Sequence, residues 1–249
     1  MIETGLVSVT FRGLTVEEVI SAAKQAGLSG IEWGGDIHVP PGNQAHAAHV
    51  RALTEAAGLK VFAYGSYYRP GEDSVEAFQP VMETAIALGA PSIRVWAGGK
   101  WTHEADDAYI ARVVQVTQEI CDLAAAYGIQ ICYEYHGWTL TDGRDNACAV
   151  YEKIQRPNMR LYWQPNFVLS QEENLLALQA VMPYLRDVHV FYWDSEQKRF
   201  PLQDGSSVWA EYLTLLQKDT KDHRLMLEFV NGDCVEQLCQ DAAALHKLL

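Results

Sequence analysis

Apolar and polar positions along this chain follow one repeating rhythm. A short β-branched or aromatic run ends in a polar or glycine-rich loop, and an amphipathic stretch of helical period follows it. The first run is Gly5 to Thr10. Thr15, with Glu18 three residues on, then reads as a capping box that opens a helix. The next runs are Gly30 to Trp33, Lys60 to Tyr64 and Ser92 to Ala97. Their helices are predicted over Asn43 to Ala57, Ser74 to Leu88 and Ala105 to Tyr127. Gly27, Gly58, Gly89 and Gly128 each stand at a helix end just before a strand, where a left-handed backbone favours glycine.

The second half repeats the plan with weaker punctuation. Strands are predicted over Gln130 to Tyr135, Arg160 to Gln164, Asp187 to Trp193 and Arg224 to Val230. The helices between and after them cover Asn146 to Gln155, Gln171 to Met182, Val208 to Leu216 and Cys234 to Leu248. Strands alternating with helices imply a parallel sheet. Eight such units in 249 residues predict an α/β fold, a (β/α)8 TIM barrel spanning residues 1–249 as a single domain. A doubly wound open sheet is the alternative, disfavoured by eight units and by the lack of a GxGxxG turn.

Composition narrows the partners. The formal charge of −13 with no compensating basic run speaks against nucleic acid. No stretch approaches eighteen uninterrupted apolar residues, and the first residues lack a basic region followed by an apolar core. Neither a membrane span nor a signal peptide is expected. Five cysteines form no CxxC pair, which points to a reducing cytoplasm.

In a barrel of this kind the active site lies at the C-terminal ends of the strands. Polar residues embedded in apolar runs stand there on four successive strands: Glu134, Gln164, His189 and Glu228. A lone buried charge costs several kcal/mol unless paired or metal-bound. Taken singly, a strand carboxylate is as readily a salt-bridge partner, and a strand histidine is more often a satisfied core group. Taken together, two carboxylates, an imidazole and an amide oxygen suit a cage for one divalent ion, Mn²⁺ or Mg²⁺ before Co²⁺ or Zn²⁺. Trp33, Trp96 and Trp193 lie at or beyond strand ends and are candidate sugar-binding walls or barrel caps. His38 and His136 are candidate substrate or supporting groups, with His38 equally readable as an exposed loop residue. Arg94 either meets an anion or pairs with Glu32, and the pair is preferred.

These segments bring out a family. Gly30-Ile31-Glu32-Trp33, Tyr133-Glu134-Tyr135-His136 with Thr139-Leu140-Thr141-Asp142, Val188-His189-Val190 and Leu227-Glu228-Phe229 resemble the xylose isomerase-like sugar isomerase/epimerase superfamily, which also holds the endonuclease IV-type barrels. The resemblance covers essentially the whole chain. It implies metal ligands at Glu134, His189 and Glu228, with Gln164 where the family has an aspartate and Phe167 where it often has a histidine. A looser cage follows, or one in which Gln164 binds substrate instead.

The resemblance also implies the chemistry. A metal-dependent isomerase or epimerase would shift a proton beside a ketose carbonyl through an enediolate, with Glu134 and Glu228 as catalytic carboxylates. A lyase or hydratase acting on 3-keto sugars or their glycosides is the alternative, as is a non-catalytic sugar-binding subunit. The expected partner is a small carbohydrate, with a homodimer as the expected assembly.

Overall fold

The computed structural model describes all 249 residues. Eight parallel strands close in sequence order into a barrel. They are β1 (Ile2–Val7), β2 (Gly30–Gly34), β3 (Lys60–Gly65), β4 (Ser92–Val95), β5 (Gln130–Tyr133), β6 (Met159–Trp163), β7 (Leu185–Val190) and β8 (His223–Leu227). The helices outside them are α1 (Val16–Gln25), α2 (Gln44–Ala56), α3 (Val75–Leu88), α4 (Asp107–Ala125), α5 (Arg144–Ile154), α6 (Gln171–Val181), α7 (Ser206–Leu216) and α8 (Val235–Leu248). Closure comes from β1 against β8, in register from Ile2 opposite His223 to Leu6 opposite Leu227.

The local signals act as their chemistry predicts. Thr15 and Glu18 form a reciprocal capping box at α1, and Ser170 with Glu173 forms a second at α6. Gly27, Gly58, Gly89 and Gly128 hold φ of 69°, 78°, 71° and 68°. The left-handed region is open to glycine without steric cost.

Several boundaries shift. β1 starts at Ile2 and gives way at Ser8 to a short 3-10 turn, where Gly5 to Thr10 is the predicted run. The predicted seventh strand, Asp187 to Trp193, is displaced to Leu185–Val190. β5 ends at Tyr133 and β8 at Leu227, each one residue short of a candidate glutamate. One ladder bond continues past both ends. Glu134 N–H donates to Val95 O at 3.1 Å, and Glu228 N–H donates to Val190 O at 3.0 Å. Each glutamate is thus anchored at the last rung.

Side chains alternate between the barrel interior and the helix layer. Phe62 fills the interior floor. Gly5 and Gly30 are register partners, and a Cβ on them would come within 2.7 and 2.4 Å of the Phe62 ring. Val7, Val9, Ala63, Cys132, Tyr162 and Met226 complete this inner apolar cluster. A separate, larger core lies between strands and helices. No helix is long and apolar enough to cross a membrane.

Candidate active site

Strand parity selects which residues enter the barrel above the apolar floor. On β5, Tyr133 turns outward to the Thr117 hydroxyl of α4, so Cys132 and Glu134 turn inward. On β2, Glu32 turns inward and Trp33 outward. Tyr162 and Gln164 follow the same rule at β6, as do Met226 and Glu228 at β8. His189 of β7 stands edge-on to the Tyr162 ring, with centroids 5.3 Å apart.

Glu134, Gln164, His189 and Glu228 converge as their strand positions require. His189 Nδ1 lies 3.2 Å from Gln164 Oε1, 3.3 Å from Glu134 Oε1 and 3.4 Å from Glu228 Oε2. Candidate ligand atoms of Glu134, His189 and Glu228 all fall within 4.8 Å of one another. Gln164 is oriented by its own amide, which donates to Tyr135 O at 3.1 Å and leaves Oε1 facing the imidazole.

Two further charged residues share the chamber. Arg94 of β4 bridges Glu32 and Glu134. Its Nε donates to Glu32 Oε1 at 2.8 Å and its Nη1 to Glu134 Oε2. The preferred sequence reading, an Arg94–Glu32 pair, describes only half of this bridge. Glycine at position 65 makes room for it, since a Cβ there would lie 2.7 Å from Glu32 Oε1 and 2.8 Å from Arg94 Nη2. No sequence signal marks Gly65. The signal for the Arg94–Glu134 contact is an inward arginine on β4 beside an inward glutamate at the end of the neighbouring β5.

Three buried carboxylates face one guanidinium, an excess of negative charge. Burial alone would lower the pKa of His189, but Glu228, Glu134 and Glu32 outweigh it and hold the imidazolium well above its ordinary range. Burial raises Glu228, and repulsion from Glu134 and Glu32 adds to it. Burial also pushes Glu134 upward, but Arg94 and His189 overcome it and hold this carboxyl below the usual range. Such a chamber favours positive charge. A divalent ion would supply that charge directly, and the oxygen-rich donor set with one imidazole fits Mn²⁺ or Mg²⁺.

The other sequence candidates divide. Trp96 donates its indole N–H to Glu134 Oε2, and its ring stacks on His136 with centroids 4.9 Å apart. His136 Nδ1–H donates to Gly137 O at 2.7 Å. Both form a half-buried wall on the β4–β5 side. Trp193 belongs to a second aromatic group with Phe191, Phe167 and Phe229, across which Arg199 lies. Phe229 holds φ of 48°, rare for a bulky residue, and its N–H donates to Thr10 Oγ1.

Trp33 and His38 require correction as substrate-binding residues. Trp33 is fully buried on the outward face of β2, edge-on to His38 at 5.8 Å. His38 is buried too, with Nδ1 accepting from the Ser8 hydroxyl at 3.0 Å and Nε2–H donating to Leu14 O at 3.1 Å. Both ring nitrogens are satisfied by the fold. Strand-end position told that these residues were near the mouth but not which way they faced. His223 is buried between Arg186 O and Asp219. Cys132 lies in the apolar layer, where burial pushes its thiol up and disfavours the thiolate a nucleophile needs.

The family described as the xylose isomerase-like TIM barrel matches residues 20–247. The chain belongs to this xylose isomerase-like family. Among solved structures it is similar to the probable 3-DHS dehydratase AsbF of Bacillus anthracis, at 17% identity and TM-score 0.81, covering 99% of both chains. It is similar to a D-allulose 3-epimerase of Methylomonas sp. in complex with D-allulose, at 16% identity and TM-score 0.75, covering 99% of this chain and 96% of that one. A family barrel from Mycobacterium smegmatis in complex with magnesium has 12% identity and TM-score 0.70, covering 99% of this chain and 96% of that one. At such identities the likeness shows the fold. No curated protein sequence matches the chain.

Proposed function

We propose that this xylose isomerase-like protein is a divalent-metal-dependent sugar isomerase or epimerase, acting by proton transfer beside a ketose carbonyl through an enediolate. The observation that carries the reading is the meeting of Glu134 and Glu228 on one imidazole nitrogen, at 3.3 and 3.4 Å, inside a negatively charged chamber. Glu134, His189 and Glu228, with the Gln164 amide oxygen, would hold Mn²⁺ or Mg²⁺. When bound, the ion supplies Lewis-acid polarisation of the carbonyl.

The chain's own groups supply the proton chemistry. Glu134 stays ionised because Arg94 and Trp96 both donate to it. Glu228 has no such donors, so it is the more basic carboxylate and takes the carbon-bound proton. For epimerisation Glu134 would first take up a proton from solvent and then deliver it to the opposite face, whereas Glu228 alone suffices for isomerisation. Trp96, His136 and Trp193 form the walls for the sugar.

Incubation of the Mn²⁺-treated protein with ketoses in heavy water tests this reading. The expected result is deuterium at the carbon beside the carbonyl, reduced about 10²- to 10⁴-fold by Glu228→Gln. Wild-type protein that exchanges no carbon-bound proton on any ketose would overturn it.

Elimination of water or a glycoside from a 3-keto sugar is the second reading. Its support is the raised Glu228, a carboxyl able to hold the proton that a departing hydroxyl needs. Appearance of a conjugated carbonyl in the same incubations, in place of an epimeric sugar, would select it.

A further inference from the structure

Two buried polar atoms in the chamber lack a hydrogen-bond partner, Glu32 Oε2 and His189 Nε2. They face each other across the barrel at 3.6 Å, from β2 to β7. A few tenths of an ångström would bring them to hydrogen-bond distance. The other oxygen of Glu32 accepts from Arg94 Nε at 2.8 Å, so the carboxylate cannot turn away without breaking an ion pair. The other nitrogen of His189 faces Gln164, Glu134 and Glu228. The imidazole therefore has one carboxylate behind it and the donor cluster in front of it.

We propose that Glu32 is a positioning residue that keeps a proton on His189 Nε2 and so leaves Nδ1 as the nitrogen that takes the divalent cation. The inference rests on the metal reading above. A carboxylate accepts but does not donate, so Nε2 facing Glu32 has to carry the hydrogen. Nδ1 is then the nitrogen left to meet a cation. Arg94 and Gly65 act behind Glu32, one holding Oε1 and the other leaving room for the pair. No sequence feature marks this role, because Glu32 touches none of the expected ligands except through the back of the ring.

The substitution Glu32→Gln tests it. Arg94 would keep the amide oxygen, which turns the amide NH₂ toward Nε2. Nε2 must then accept, and the proton moves to Nδ1, where it opposes a cation. Two readouts are needed on the full chain. The first is long-range ¹⁵N–¹H correlation of labelled histidines without added metal. In the wild type His189 Nε2 carries a slowly exchanging proton, and in Glu32→Gln that proton is absent. The second is Mn²⁺ affinity, read from the paramagnetic resonance of free Mn²⁺, expected to weaken about 10- to 100-fold in the variant. A wild-type Nε2 without a proton overturns the proposal, whether or not the variant folds. So does a variant with unchanged affinity and an unchanged proton pattern. A wild-type protein with the Nε2 proton but no affinity for Mn²⁺ upholds the Glu32–His189 contact and overturns the metal reading instead.

Discussion

The barrel interior has two storeys that differ by one rung of the same strands. On the lower rung stand Cys132 of β5, Tyr162 of β6 and Met226 of β8, packed with Phe62, Ala63 and Val7. Two residues further along each strand stand Glu134, Gln164 and Glu228, joined by Glu32, Arg94 and His189. The lower storey is fully buried, and in the upper one the charged groups are buried while Gln164 is half-buried. The lower is held by shape, with two glycines making room for one phenylalanine ring. The upper is held by charge, with one arginine set between two carboxylates. The apolar floor excludes water from below and so strengthens every electrostatic interaction above it. What stabilises the lower storey is complete within the chain, whereas the upper one is left with excess negative charge.

The sharpest way to break this contrast is a paired lesion. Phe62→Ala empties the floor and Arg94→Met removes the charge bridge. Each is expected to cost about 3–5 kcal/mol in denaturant unfolding, the first by opening a cavity and the second by stranding buried carboxylates. Added Mn²⁺ should separate them. It restores a larger part of the stability lost in Arg94→Met, since a cation bound only to the folded state stabilises it by mass action. Equal rescue of both variants would show that the storeys are not energetically distinct.

Gly65→Ala probes the seam of the upper storey. The added methyl would crowd Glu32 Oε1 and Arg94 Nη2. Overpacking of this kind costs about 1–3 kcal/mol, measurable by thermal unfolding. A neutral outcome would show that the ion pair shifts freely.

Gln164→Asp adds a carboxylate beside His189 Nδ1. Mn²⁺ affinity should tighten about tenfold, roughly 1.4 kcal/mol, while the metal-free protein loses stability from the added repulsion. Mn²⁺ titration and metal-free melting check the two halves separately.

The smallest effect lies outside the barrel, at His38. Burial lowers its pKa, so the folded chain holds the neutral ring. The unfolded chain takes up a proton below about pH 6.5. The stability from neutral His38 is therefore fully present above that pH and declines as the pH falls toward the folded value. His38→Gln should cost about 1 kcal/mol at pH 8, and the gap to wild type should narrow at pH 5.5. A gap independent of pH would mean that His38 does not titrate with folding.

Much of this protein follows from local order along the chain. Strand and helix alternation, the Thr15 capping box and the four glycines before β2, β3, β4 and β5 are signals acting over a few residues, and they suffice to count eight units. Parallel strands then carry Glu134, Gln164, His189 and Glu228 to one rim, because each lies near the end of its own strand. The direction of Trp33 depends instead on where the β2 ladder begins, since a shift of one residue exchanges the two faces. The same holds for the boundaries of β1 and β7, which neighbouring strands set by pairing. His38 reads equally as a substrate group or an exposed loop residue, because the groups that satisfy it, Ser8 and Leu14, come from another βα unit. The Arg94 bridge, the space left by Gly65 and the facing of Glu32 on His189 join residues far apart in sequence. Only closure of the barrel brings those atoms within reach. The sequence by itself determined the fold and the rim residues through periodicity, and the tertiary structure alone decided which charges meet, because Coulomb and hydrogen-bond energies depend on distances that periodicity does not encode.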